Sequence, residues 1–167
     1  MCAIIGDNCV TDSGMDKMKK DQNLDVKKLF EDALGEKMKE YHMPAPSFSI
    51  MQTEIIAFDK ERSSLTVKIP VLHTWLNPYG TMQGGMIIAA MDNALGSLSM
   101  LVAPLNMTRS IDSKLKKAIT MDLEFIYITA TLKERKKRRL IFDVDVKDRD
   151  GECYATAQIT NWIIDEK

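Results

Sequence analysis

A chain of 167 residues, 45% hydrophobic and 28% charged, is long enough to fold as one domain around a sizeable core. Its formal net charge of −1 argues against a protein built to coat nucleic acid or an anionic membrane. Three scattered cysteines, Cys2, Cys9 and Cys153, form no C-x-x-C pair, which excludes a disulfide framework or a dithiol redox motif and fits a reducing cytoplasm.

Residues 1–22 are polar, lack a pattern and lack the basic and apolar regions of a signal peptide, so they read as disordered or expression-derived. Residues 23–46 read as an N-terminal amphipathic helix and linker. Val26, Leu29, Phe30, Ala33, Leu34, Met38 and Tyr41 recur at steps of three and four between Asn23 and His42, with Asn23 as the cap, and Pro44 and Pro46 end the pattern. Residues 47–167 read as the main domain. Ser47–Phe58 is expected as a first strand, and Leu65, Val67 and Ile69 alternate with Thr66 and Lys68 in a second.

The stretch "NPYGTMQGGMIIAAMDNALGSLSMLVAP" from Asn77 to Pro104 follows, turn residues leading into a helix apolar on all sides. Its length approaches a membrane span, but Gln83, Asp92, Asn93 and two serines interrupt it, and a charge at mid-bilayer depth is costly. After Pro104 a polar connection is expected through Lys117. Three long strands then follow: one through Ile119, Met121, Leu123, Phe125 and Tyr127, one through Leu140, Phe142, Val144 and Val146, and, past the Asp150-Gly151 turn, one from Glu152 to about Ile164. Five strands can bury an apolar helix only by curling around it. The expected class is α+β, an antiparallel sheet wrapped around a central apolar helix.

Asp92 inside that helix must be paired, protonated or placed at a cleft, because an uncompensated buried charge costs several kcal/mol. Gly84 and Gly85 stand at the helix start, where unbonded N–H groups and the positive end of the dipole suit a developing oxyanion. Eight residues separate Gly84 from Asp92, about 12 Å of helix rise, too far for both to act on one carbonyl. If both act, they come from different subunits, which implies at least a dimer.

The string N-P-Y-G-T-M-Q-G-G-M-x-x-A-x-x-D-N-A-x-G resembles the hotdog-fold acyl-CoA thioesterases of the phenylacetate-pathway type. Asn77, Gly80, Gly84, Gly85 and Asp92 match the motif over a resemblance that covers about residues 47–165. It implies a hotdog-fold homodimer or homotetramer that hydrolyses acyl-CoA without metal or redox cofactor. Asp92 would be general base or nucleophile, the Gly84 N–H would hold the thioester oxygen, Asn77 would help to place water or carbonyl, and Thr120 would orient Asp92 or the water. Gln83 stands where that family usually carries His; it cannot titrate, and it opens the alternative of a non-catalytic acyl-CoA-binding or regulatory protein. The basic run "KERKKRR" at 133–139, with Lys136, Lys137, Arg138 and Arg139, is either a solvated hairpin tip or an attraction for the phosphates of coenzyme A. It lacks the interleaved aromatics of a nucleic-acid site. His42 and His73 build neither a Ser-His-Asp arrangement nor a metal site.

Overall fold

The computed structural model describes residues 24–164; Asn23 and residues 1–22 lie outside them. Helix α1 spans Val26–Leu34, and its cap is Asp25, whose carboxylate accepts the Lys28 N–H at 3.0 Å. The helix is shorter than its periodicity suggests. Gly35, at φ +55°, ends it, and the remaining turns to Glu40 tighten into 3-10 geometry.

The expected strand over Ser47–Phe58 divides in two. Pro46, pre-organised for a first helical turn, starts the short helix α2, Pro46–Ile50, and only Glu54–Asp59 forms strand β1. Strand β2, Ser64–Pro70, follows a tight turn and buries Leu65, Val67 and Ile69 completely.

Helix α3, Gly84–Val102, is long and apolar enough by composition to cross a membrane, yet here it packs against β2, β3, β4 and β5. Three further strands occupy their expected places: β4 (Phe125–Lys136), β5 (Arg139–Lys147) and β6 (Cys153–Ile163). A sixth strand, β3, Asn106–Leu115, lies in the segment expected to be a polar connection. Its sequence NMTRSIDSKL lacks an apolar alternation because β3 is an edge strand. It is held by its backbone ladder to β6, from Asn106 opposite Ile163 to Leu115 opposite Ala155. The sheet order is β1-β2-β4-β5-β6-β3, antiparallel throughout.

The face that β4 turns inward also differs from the alternation of Ile119 to Tyr127. Met121–Leu123 form a 3-10 turn and Glu124 takes a left-handed conformation at φ +57°, which resets the parity. Ile126, Ile128 and Ala130 therefore face α3, whereas Met121 is exposed and Phe125 lies under the Lys68 ammonium, 3.9 Å from its ring centre. In β5 the parity is as expected, with Leu140, Phe142, Val144 and Val146 buried, and Phe30 of α1 joins the same core.

On the opposite face of β5, Asp145 is buried between Thr129 and Thr156, and one carboxylate oxygen, 3.5 Å from the Lys147 ammonium, has no hydrogen-bond donor. Burial pushes its pKa above 3.8, opposed by the charges of Lys147 and Lys116. The native state thus holds this proton better than the unfolded chain. The stability gained is complete below the unfolded value and disappears as pH rises through the raised native value. Asp145→Asn is expected to remove this dependence, so the change in urea midpoint from pH 4 to pH 7 should be more favourable in the variant than in the native chain. A variant that loses more stability at pH 7 than at pH 4 would show that the ion pair with Lys147 outweighs burial.

Candidate active site at the ends of the central helix and edge strand

The approach to α3 is a small loop closed by a bridge between Leu76 and Met82. Asn77 organises it. Its side-chain oxygen accepts from the N–H groups of Tyr79 (2.9 Å) and Thr81 (3.2 Å), and its amide donates to Thr81 Oγ1 at 2.9 Å. Gly80 closes the turn at φ +76°, a conformation that side chains resist. Two bonds then fix the helix start: Met82 N–H to the Ile119 carbonyl and Gln83 N–H to the Trp75 carbonyl, each 2.8 Å.

Gln83 is the N-cap. Met86 N–H is shared between the Gln83 carbonyl (2.8 Å) and its side-chain Oε1 (3.2 Å). The folded side chain needs the glycine at 85, since a Cβ there would lie 2.8 Å from Oε1. Among the described residues nothing accepts from the Gly84 N–H, which leaves it open as a donor. A cavity of about 340 Å³ adjoins it, lined by Asn77, Thr81, Gly84, Ile87, Leu115 and Lys116 among others but not by Gln83. Leu115 closes over Gly84 so tightly that a Cβ would meet its Cδ1 at 2.9 Å.

Asp92 lies two turns further along α3, half-buried, on the half-covered strip Ile88–Asp92–Gly96. Thr108 Oγ1 of β3 donates to its Oδ1 at 2.8 Å. The neighbouring Asn93 does different work: it accepts from Ser47 Oγ at 3.0 Å and donates to Met51 Sδ at 3.0 Å, tying the α2 segment to the helix. The polar pair inside the apolar helix therefore faces two elements, and only Asp92 keeps one oxygen open.

Thr120 lies beside the cavity-lining Ile119, and its hydroxyl donates to Asp122 at 3.2 Å, so within one chain its partner is not Asp92. The basic run forms the tip of the β4–β5 hairpin. Arg138 is held there by two bonds from its guanidinium to the Ile163 carbonyl (3.1 and 3.0 Å), and Lys133 pairs with Asp143 at 2.9 Å. Lys136, Lys137 and Arg139 are exposed. The 12 residues of β4 separate this tip from the Ile119 end, about 40 Å at strand rise. Thr108, Lys116 and Lys117 are site residues that the sequence reading passed over, because all three lie in or just after the unrecognised strand. The run K-L-K-K at 114–117, two residues ahead of the buried Ile119, was the available signal for the lysines. No three His, Cys, Asp or Glu side chains come together as a metal site among the described residues.

No family model and no curated protein sequence matches the chain. Solved structures do. The phenylacetic acid degradation-related protein of Ralstonia eutropha JMP134 superposes with a TM-score of 0.67 at 23% identity, covering 76% of this chain and 97% of that one. The PaaI protein of the phenylacetic acid degradation operon of E. coli gives 0.69 at 13% identity, over 85% and 98% of the two chains. A hypothetical thioesterase of Streptococcus pneumoniae TIGR4, solved with coenzyme A, gives 0.67 at 20% identity, over 78% and 98%. At these identities the likeness establishes the hotdog fold.

The contact between Gln83 and position 85 makes a coupled prediction. Replacing a helical Gly by Ala gains up to about 1 kcal/mol in propensity. Gly85→Ala in the native chain is expected to forfeit that gain by displacing the Gln83 cap, an interaction worth about 0.5–2 kcal/mol. In a Gln83→Ser background the same substitution should stabilise. Urea denaturation of the four proteins measures the coupling; equal effects of Gly85→Ala in both backgrounds would show that Gln83 does not hold the conformation described.

Proposed function

We propose that this protein is an acyl-CoA thioesterase acting as a homodimer or a larger assembly of dimers. The observation that carries the reading is the Asp92 carboxylate, held through one oxygen by Thr108 and left open at the other, on a hotdog central helix whose first N–H, at Gly84, is an unfilled donor. The thioester oxygen accepts from Gly84 N–H. Asp92 takes a proton from the attacking water, or itself attacks the carbonyl carbon. On the first path the tetrahedral intermediate collapses with cleavage of the C–S bond, releasing the acid and the coenzyme A thiolate, which takes the proton from Asp92. On the second, collapse expels the thiolate and leaves an acyl–Asp92 anhydride, which water hydrolyses to the acid, its proton passing to the thiolate. Thr108 acts as a positioning residue that fixes the carboxylate rotamer.

The two groups belong to different subunits in this reading, because about 12 Å of helix lies between Gly84 and Asp92 of one chain. What supports an assembly is the outer edge of β3, ten residues long and without a neighbouring strand in the sheet order, beside the half-covered strip of α3. A long unpaired edge invites pairing with another chain. Asn77 is occupied with its own turn and acts by shaping the loop beside the acceptor site. Thr120 and Gly85 are neighbours of the site, with Gly85 making room for the Gln83 cap. The second reading, a binding protein without turnover, is favoured by Gln83, a group that cannot titrate and whose oxygen is engaged with Met86.

Thiol release from a panel of short, medium, long and aryl acyl-CoAs separates the readings. Asp92→Asn is expected to lower kcat by about 10²–10⁴-fold, the usual contribution of a positioned acid–base group, with the oligomer intact. Thr108→Val should lower kcat with little change in KM, because the carboxylate loses the bond that orients it, while Thr108→Ser, which keeps the hydroxyl, should restore kcat. Saturable acyl-CoA binding without turnover by the native protein would favour the binding module.

A further inference from the structure

Two basic clusters compete for the negative end of an acyl-CoA, and the geometry points to the less conspicuous one. We infer that Lys116, at the mouth of the Gly84 cavity, is the phosphate-binding residue, and that the hairpin cluster at residues 136–139 is not; this rests on the acyl-CoA reading above.

The cavity, about 340 Å³, is at the small end of ligand sites, which run from roughly 300 to 1,000 Å³. It can take the slender pantetheine arm but not the nucleotide as well. The phosphates must then lie at its rim, where the wall is formed by Lys116 and Lys117. These two residues are fixed rather than trailing: both their backbone N–H groups donate to the Tyr154 carbonyl, at 2.8 and 3.1 Å. Lys117 is already neutralised by an ion pair with Glu152. The Lys116 ammonium has no hydrogen bond or ion pair among the described residues. The acid within its electrostatic reach, Asp145, already has Lys147 at 3.5 Å. An exposed ammonium on an anchored backbone beside an open pocket is therefore available for an anion.

The hairpin offers more charge but in the wrong place for the same chain. Arg138 is committed to the Ile163 carbonyl. Lys116 is bonded to Tyr154, level with Lys147 at one end of β5, and Arg139 stands at the other end, about 26 Å away at strand rise, some three times the ~8 Å Debye length at physiological salt.

Calorimetric titration with coenzyme A and with pantetheine, independent of turnover, tests the assignment. Lys116→Glu and Lys116→Ala are expected to weaken coenzyme A binding by about tenfold, as for loss of one charge-assisted contact. Pantetheine binding should stay unchanged, Lys116→Arg should restore affinity, and the salt dependence of coenzyme A binding should flatten in Lys116→Ala. Neutralising the hairpin (Lys136→Gln, Lys137→Asn, Arg139→Gln) should change coenzyme A affinity less than about twofold, because the charges are screened over that distance. Coenzyme A binding that depends on the hairpin and not on Lys116 overturns the assignment while leaving the thioesterase reading standing. Lys116-dependent binding without thiol release from any acyl-CoA upholds the assignment and removes the hydrolase reading. A native protein that binds no coenzyme A overturns both.

Discussion

A helix with apolar side chains on every face has to be covered on every face, and one sheet covers only part of it. Ile87, Ala90, Met91, Ala94, Leu95 and Leu98 of α3 are sealed by the strands, and α1 packs on a second side. The strip through Ile88, Asp92 and Gly96 remains half-covered. Most of the rest follows from how the chain handles that remainder. The sheet extends to β3, whose Thr108 reaches across to the carboxylate, and Asn93 recruits the α2 segment to the adjoining side. The acid in the apolar helix is therefore placed at the boundary of what a single chain can bury, with one oxygen bonded and one directed to whatever covers the strip.

The parts of the fold legible in the sequence are those in which side-chain burial dictates the backbone. Leu65, Val67 and Ile69 in β2, and Leu140, Phe142, Val144 and Val146 in β5, alternate because one face of each strand meets α3. The Asp150-Gly151 turn announces itself because Gly151, at φ +87°, needs a glycine. Where backbone pairing or an irregular turn decides, the pattern is silent or misleading. Strand β3 is defined by its ladder to β6, and its exposed side chains carry no period. The apparent run from Ile119 to Tyr127 crosses Glu124, whose left-handed conformation moves the buried set to Ile126 and Ile128. Ser47 to Ile50 look like the start of a strand, yet Pro46 makes helix the local preference.

The candidate site divides along the same line. Asn77, Gly84 and Asp92 lie within one continuous motif, so their chemistry and spacing can be read directly. Thr108 and Lys116 become neighbours of that motif only when β3 has found its place beside β6, a relation that no short-range pattern encodes. The densest charge lies elsewhere. The hairpin at 133–139 holds most of the local positive charge, but a hairpin tip is where a sheet is farthest from its own core, and Arg138 there serves to fasten the end of β6.

The position of β3 in the sheet also sets an order of events during folding. The β1–β2 hairpin and the β4–β5–β6 meander pair neighbours in the chain, and such local contacts form early at small entropic cost. Strand β3 has one strand partner, β6, which comes last of the six strands in chain order. Until β6 is made and docked, the segment bearing Thr108 has no ladder to hold it, and the Asp92 carboxylate lacks its hydroxyl. The candidate site is thus completed only once β6 is in place, and a nascent chain stalled before residue 153 carries the whole Asn77-to-Asp92 motif without the strand that brings Thr108 to it.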